Sequence, residues 1–420
     1  MKYNKQIINQ KAEYCLNCKI KPCQKGCPLG NDIPSFIKAI KEQKYEEAYN
    51  ILSETTVLQS ICGRVCPHKK QCEGSCIRGI KGEPVDIGTL ESFIGDMAIE
   101  KEFKLPKIKE NNNKYKVAVI GSGPAGLTCA ATLARNNINV TIFEKYENAG
   151  GILRRGIPDF RLSKEILDKQ IDKILELGIN IKYNKQLGKD FTIKELENEY
   201  DAIFLAIGAN ISADMGIEGE NLEGVYGGNE LLENANHPDY TNKKVVIIGG
   251  GNVAMDAART IKRLGAKEVK VIYRRAEKQM PAEVKEIEDA KNEGVEFLFQ
   301  NNIVKILGDK KVNKIECIKT ELVKKEGELR EIPIDIQGSN YLLDIDYVVI
   351  AIGAKPDEST IKNMDIDVTN WGYVKIDENY MTSKKGLFAG GDLAGSKSTV
   401  AWASKSGREA AKSIINYLNL

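Results

Sequence analysis

The sequence predicts an α/β chain: an N-terminal α-helical, cysteine-rich module followed by two Rossmann-like dinucleotide-binding domains, the second inserted in the first. Three observations predict it. Two short apolar runs end in glycine turns, Lys-Val-Ala-Val-Ile-Gly-Ser-Gly-Pro-Ala-Gly at 116–126 and Val-Val-Ile-Ile-Gly-Gly-Gly-Asn-Val-Ala at 245–254. An apolar strand ending in Ala-Ile-Gly-Ala occurs on either side of the second turn, at 206–209 and 351–354. Eight cysteines, Cys15, Cys18, Cys23, Cys27, Cys62, Cys66, Cys72 and Cys76, stand ahead of the first turn. The expected domains are 1–112, the helical module with its linker; 113–237 with 355–420, the first Rossmann domain; and 238–354, the second.

Composition narrows the function classes. A chain of 420 residues is too long for one core. Its 42% hydrophobic and 29% charged content is ordinary globular composition, and a net charge of +2 gives no basic footprint for nucleic acid. The N-terminus is polar, without the apolar core of a secretory signal, and apolar runs such as 245–248 are too short to span a membrane. A cytoplasmic setting is therefore expected, in which reduced cysteines serve metal or redox chemistry. The two histidines, His68 and His237, lie in no nucleophile motif, so no Ser-His-Asp or Cys-His catalyst is expected.

In chain order, the cysteines come first. The runs read Cys15-x2-Cys18-x4-Cys23-x3-Cys27-Pro28 and Cys62-x3-Cys66-Pro67-x4-Cys72-x3-Cys76. Clustered thiolates at short spacing, each run carrying Cys-Pro, favour iron–sulfur chemistry. Two four-thiolate zinc sites are the alternative, although zinc prefers compact pairs around a long loop. The second gap, four residues, departs from the two of the bacterial ferredoxin run. Between the runs, Asp32 and Pro34 read as a helix cap and first turn, and Ile33, Phe36, Ile37 and Ile40 as one packed face. The charged, Asn-rich stretch 100–114 reads as a linker.

The first glycine turn follows a strand at 116–120 and opens a helix from 124 to about 136; a second strand, 139–143, ends at Glu144. Gly121 makes the tight turn, Gly123 lets the backbone approach a pyrophosphate, and Gly126 lets helix and strand pack closely. The helix start at Pro124 and Ala125 then presents unpaired N–H groups to phosphate, and Glu144 is placed to accept from a ribose hydroxyl. The second turn repeats the logic with Gly249, Gly251, Asn252, Val253 and Ala254, a helix over about 253–264 and a strand at 268–273. That strand ends in Arg274 and Arg275 instead of an acid. Arginines suit a 2′-phosphate, so this site should prefer NADPH over NADH.

Near the C-terminus stand Gly-Leu-Phe-Ala-Gly-Gly-Asp at 386–392 and Thr-Val-Ala-Trp-Ala from Thr399. With the two glycine turns, this resembles the two-dinucleotide flavoprotein reductases. The resemblance implies FAD contacts at Asp392, Thr399 and Val400, with the helix start stabilising anionic reduced flavin. It also implies FAD contacts at Gly151 and Arg161, in the Gly-Gly-Ile-Leu-Arg-Arg-Gly-Ile-Pro-Asp-Phe-Arg-Leu segment at 150–162, and a basic contact to NADPH phosphate at Lys278. The Cys-x-x-Cys of thioredoxin reductases is missing from the second Rossmann domain. Beyond residue 100 only Cys129 and Cys317 remain, which argues against a disulfide reductase.

The cysteine runs together with Ile-Gly-Thr-Leu-Glu at 87–91 resemble the N-terminal module of the NADPH-dependent glutamate synthase small subunit family. Dihydropyrimidine dehydrogenases and NADPH–ferredoxin transhydrogenase large subunits share that module, and the resemblance covers essentially the whole chain. It implies two [4Fe-4S] clusters with interleaved ligands: Cys15, Cys18, Cys23 and Cys76 for one, and Cys27, Cys66, Cys72 and Glu91 for the other. Cys62 is left without a role. Dihydropyrimidine dehydrogenases use glutamine at the Glu91 position, so glutamate leans towards the other two branches; a carboxylate should also lower the cluster potential. The implied function is electron input, from NADPH to FAD to the clusters to a partner, with no acid–base catalytic residue required. The implied partner is the glutamine-hydrolysing large subunit of glutamate synthase. The alternatives are the NAD(P)H-oxidising subunit of a two-chain dihydropyrimidine dehydrogenase, whose partner is an FMN barrel, or of a ferredoxin-linked transhydrogenase. A sensor of NADPH or iron is a further class, which the intact glycine turns and Gly-Asp disfavour.

Overall fold

The computed structural model describes residues 3–108, 114–324 and 331–419 and separates into two compact units. The first comprises Met1–Arg154, Asp159–Ala209 and Pro356–Leu420; the second comprises Arg155–Pro158 and Asn210–Lys355. The helical module and the first Rossmann sheet thus form one unit. The inserted unit begins at 210, earlier than the 238 expected, because the short strand at 225–227 pairs into the second sheet.

The helical module is built from α1 (Lys5–Glu13), α2 (Pro22–Gly26), α3 (Ile33–Lys41), α4 (Tyr45–Ser53), α5 (Gln59–Val65) and α6 (Ile87–Glu100). Asp32 caps α3 by accepting from the Ser35 amide at 3.3 Å, and Ile33, Phe36, Ile37 and Ile40 are buried as their spacing predicts. Each such side chain contributes about 1.5–3 kcal/mol on burial. The four-residue gap between Cys18 and Cys23 is taken up by Lys21, in a left-handed conformation, and by Pro22 opening α2. The first part of the expected linker is anchored: Leu105 is buried, and Arg135 donates to the Pro106 carbonyl at 2.6 Å. The part at 109–113 lies outside the described residues.

The first sheet holds β1 (Lys116–Ile120), β2 (Asn139–Phe143), β3 (Asn180–Lys182) and β4 (Ala202–Leu205). In the second unit lie β5 (Val225–Gly227), β6 (Lys244–Ile248), β7 (Glu268–Tyr273), β8 (Glu296–Phe299) and β9 (Tyr347–Ile350); β10 (Leu387–Ala389) returns to the first sheet. Both sheets are parallel, in the orders β10-β4-β1-β2-β3 and β5-β9-β6-β7-β8. Each has its glycine-turn strand in the middle, where strand order reverses. That reversal opens a crevice at the carboxyl ends, where open α/β sheets take ligands. Four antiparallel strands at 301–344 close one face of the second sheet over Val246, Ile248, Ile306 and Ile315.

The helices that frame the sites are α7 (Pro124–Arg135), α8 (Lys164–Leu175), α9 (Asn252–Arg263) and α10 (Val400–Tyr417), among others. On α9 the buried Arg259 pairs with Glu286 and, at 2.8 Å, with Glu293, which also receives Arg263 at 2.6 Å. Hydrogen bonding from Arg263 and Arg259 pulls the Glu293 carboxyl down to about 2. A depressed carboxylate stabilises the fold above its ordinary value, and that stabilisation is lost as pH falls from about 4.5 through about 2. Denaturant titrations should therefore show Glu293→Gln less stable than wild type at neutral pH, with the gap closing across that window.

Candidate cofactor sites

Both glycine turns are built around a carbonyl from the repeated Ala-Ile-Gly-Ala strand end. A Cβ at Gly121 (φ +99°) would stand 2.6 Å from the Ala206 oxygen; one at Gly249 (φ +137°) would stand 2.2 Å from the Ala351 oxygen. The repeat is thus the floor on which each turn rests. Gly126 is equally confined, since a Cβ there would stand 2.0 Å from the Gly121 oxygen, whereas at Gly123 and Gly251 a Cβ would meet nothing within 4 Å. The middle glycine of each turn faces open space, as a site for an approaching pyrophosphate requires. Gly123 and Gly251 also precede α7 and α9 with no side-chain cap, so the helix-start N–H groups stay available to an anion.

In the first unit Glu144 is buried and accepts from the Ser122 amide at 3.0 Å, from the Ser122 hydroxyl and from the Tyr146 amide at 3.0 Å. The Ser122 hydroxyl in turn accepts from the Gly150 amide at 3.0 Å. Ser122, unassigned from the sequence, is the joint that holds the turn, the acid and the second glycine pair together; its place between two fingerprint glycines was the available signal. Gly151 lies against Gly123, a Cβ there falling 2.9 Å from the Gly123 Cα. Gly391, beside Asp392, abuts Ala125 at the start of α7. Asp392 follows β10 and accepts from the Ser396 hydroxyl at 3.0 Å; burial pushes its carboxyl up. Thr399 caps α10 by accepting from the Trp402 amide at 3.3 Å, leaving Val400 as the first helical residue. Arg161 is half-buried on the segment ahead of α8.

In the second unit Asn252 opens α9, with its side-chain oxygen accepting from the Glu283 amide at 2.9 Å, and Val253 and Ala254 follow in the first turn. Beyond β7, Arg274 is exposed and Arg275 half-buried. Their carbonyls are fixed by the Thr320 hydroxyl at 2.8 Å and the Gln300 amide at 3.1 Å. The Nε of Arg275 is buried and has no hydrogen-bond partner among the described residues. A buried guanidinium N–H left open is costly, and an anion at this position would satisfy it. Lys278 is exposed, its ammonium 4.0 Å from Glu331.

The cysteines of the two runs are brought together in an interleaved way. Cys15, Cys18, Cys23 and Cys76 line one cavity, walled by Ile33, Ile37, Ile77, Val85 and Ile87. Burial pushes the Cys23 thiol up to about 11, with Cys15 and Cys76 adding to it. The second set forms around Glu91, one turn into α6 and buried. Burial and the Glu91 charge push Cys27 up to about 11, and the same causes raise Cys72. Cys66 is raised by its contact with the Cys62 thiol, then by burial, Glu91 and Cys27. Cys62 therefore sits beside this second set, a neighbour the spacing did not reveal. Among the described residues no three or more His, Cys, Asp or Glu side chains close around a point that would hold a single metal ion. Thiols spread around an apolar cavity suit a multi-iron cluster, in which four ligands are shared over four irons. Cys129 and Cys317 are buried in the Rossmann units.

Residues 115–410 match the family model for pyridine nucleotide-disulphide oxidoreductases, and residues 1–103 match that for dihydropyrimidine dehydrogenase domain II, 4Fe-4S cluster. The NADPH glutamate synthase small chain of Halomonas elongata is 35% identical over all of this chain and 92% of that protein. The Escherichia coli small chain is 34% identical over 97% of this chain and 91% of its own length. The NADP(+)-dependent formate dehydrogenase subunit beta of Moorella thermoacetica is 38% identical over 94% of this chain but only 60% of that protein. Among solved structures, Mycobacterium tuberculosis FprA in complex with NADPH superposes with a TM-score of 0.64 at 20% identity, covering 73% of this chain and 85% of that one. That likeness establishes the shared fold. Among the described residues no helix is long and apolar enough to cross a membrane.

Proposed function

Because the chain belongs to the pyridine nucleotide-disulphide oxidoreductase family and, over its whole length, to the NADPH glutamate synthase small-chain family, we propose that it feeds electrons from NADPH through FAD and two [4Fe-4S] clusters to a glutamine-hydrolysing large subunit in the cytoplasm. The observation that carries the electron path is the cavity lined by Cys15, Cys18, Cys23 and Cys76, in the same compact unit as the first glycine turn.

In this reading FAD is held by Gly121, Gly123, Pro124, Ala125, Gly126, Glu144, Gly151, Arg161, Asp392, Thr399 and Val400. NADPH is held by Gly249, Gly251, Asn252, Val253, Ala254, Arg274, Arg275 and Lys278. The clusters take the two cysteine sets, the second completed by Glu91. Bound there, FAD would supply two-electron to one-electron chemistry between the nicotinamide and the clusters. The chain's own residues bind and orient. The uncapped starts of α7 and α9 face phosphate, and the start of α10 offers amides to negative charge on the flavin ring. Arg275 supplies the buried N–H for a 2′-phosphate. No side chain is required to move a proton.

Arg275→Gln is expected to raise the KM for NADPH by about 10- to 100-fold, the loss of one charged hydrogen bond, while the KM for NADH changes little. The partner is tested by anaerobic affinity purification of the chain from its native host with mass spectrometry. A co-purifying glutamine-hydrolysing subunit supports the proposal; an FMN-barrel protein moves the function to pyrimidine reduction. The identity to a formate dehydrogenase beta subunit favours a second reading, in which the same electron path ends on a different oxidoreductase.

A further inference from the structure

Glu91 is not the end of its side-chain contacts. Asn31, only 2% exposed, stands four residues after Cys27, and its amide nitrogen donates to Glu91 Oε1 at 3.2 Å. The Asn31 oxygen accepts from the Thr55 hydroxyl at 2.6 Å. This order fixes the amide's orientation, because a carboxylate can only accept and the hydroxyl donates to the opposite end. The Thr55 carbonyl accepts from Arg408 Nη1 at 2.7 Å, and the same nitrogen donates to the Leu29 carbonyl at 2.9 Å, two residues beyond Cys27. Arg408 lies on α10, the helix that begins at Thr399 and Val400. A continuous set of hydrogen bonds therefore runs from the helix assigned to the flavin to the carboxylate assigned to the second cluster.

We propose that Asn31 and Thr55, braced by Arg408, are positioning residues for the Glu91 carboxylate; this rests on Glu91 being the non-cysteine ligand of the second cluster. The physical need is specific. A carboxylate has two equivalent oxygens and a side chain with three torsions, so as a lone oxygen ligand among thiolates it is the member most able to swing. Asn31 takes Oε1, and among the described residues no hydrogen bond engages the other oxygen, which remains for iron. The Thr55 hydroxyl keeps the Asn31 amide from rotating. A hydrogen bond to a ligand also withdraws electron density from it, which favours the reduced cluster. Removing Asn31 should thus lower the midpoint potential of one cluster and leave the other unchanged.

The test uses the full chain with both clusters reconstituted anaerobically, read by potentiometric titration with electron paramagnetic resonance. Glu91→Ala, Asn31→Ala, Thr55→Val and Thr55→Ser are compared. Glu91→Ala and Asn31→Ala should perturb the same one of the two cluster signals, with Asn31→Ala shifting its midpoint downward. Thr55→Val should shift it less in the same direction, and Thr55→Ser, which keeps the hydroxyl, should restore it. If Glu91→Ala alters one signal while Asn31→Ala and Thr55→Val leave its shape and midpoint at wild type, the positioning role is wrong and the ligand assignment stands. Both readings fall if Glu91→Ala leaves both signals unchanged. Should Asn31→Ala not fold, the near-isosteric Thr55→Val with its Thr55→Ser rescue decides the matter.

Discussion

Gly251→Val is expected to lower kcat/KM for NADPH by on the order of 100-fold or more, without loss of FAD and with an unfolding temperature close to wild type. The expectation comes from the space around the residue. Nothing lies within 4 Å of a Cβ placed on Gly251, and its φ of −90° and ψ of 177° are ordinary extended values that valine adopts readily. The new side chain therefore costs the fold little and occupies the open side of the turn, where the pyrophosphate is proposed to lie. Stopped-flow reduction of the bound flavin by NADPH should slow, while dithionite still reduces it. Gly249→Val is the contrast. With φ at +137° and a carbonyl 2.2 Å from its Cβ, that substitution should destabilise the second unit itself, so its loss of activity would come with a lower unfolding temperature. A Gly251→Val chain that reduces its flavin as fast as wild type would remove the second glycine turn from the NADPH site.

The strands around both turns stand at 116–120, 139–143, 244–248 and 268–273, as the apolar runs predict, since a buried parallel strand bounded by glycine has little other solution. The helix α9 starts one residue earlier than read, at Asn252, whose side chain accepts from the distant Glu283 amide at 2.9 Å and so does not cap the helix from outside. The boundary of the inserted unit was less legible. Val225–Gly227 has only three residues, each half-buried, and nothing in so short a run shows which sheet it joins. Long-range partners were invisible for a different reason. Asn31 and Glu91 are 60 residues apart, and Arg408 and Leu29 are 379 apart. Asn31 and Arg408 look like ordinary polar surface in the sequence until the fold brings their partners to them. The Cys62–Cys66 contact is local, one turn of α5, yet helical spacing alone does not say that both thiols face inward.

Serine at any one of Cys15, Cys18, Cys23 or Cys76 is expected to cost the same cluster, lowering iron from about eight to about four per chain, while serine at Cys27, Cys66 or Cys72 costs the other. Reading the two runs separately would pair Cys76 with Cys66 and Cys72, its neighbours in sequence. The fold pairs it otherwise. A Cβ on Gly26 would stand 2.2 Å from the Ser75 hydroxyl and 2.7 Å from the Gln71 carbonyl, so the backbone ahead of Cys27 is pressed against the backbone ahead of Cys76. That contact carries Cys76 across to the cavity of Cys15, Cys18 and Cys23, and leaves Cys27 to turn towards Glu91. Iron and sulfide content, together with the paramagnetic signal that survives in each variant, should therefore sort Cys76→Ser with Cys15→Ser and Cys27→Ser with Cys72→Ser. Cys62→Ser should retain both clusters, since Glu91 is proposed to complete the second set. In both groups NADPH should still bleach the flavin while delivery of electrons to an external acceptor falls to background, because the proposed path runs through both clusters. Cys76→Ser sorting with Cys72→Ser would overturn the interleaving, and loss of a cluster in Cys62→Ser with none in Glu91→Ala would transfer the fourth ligand from the carboxylate to that thiol.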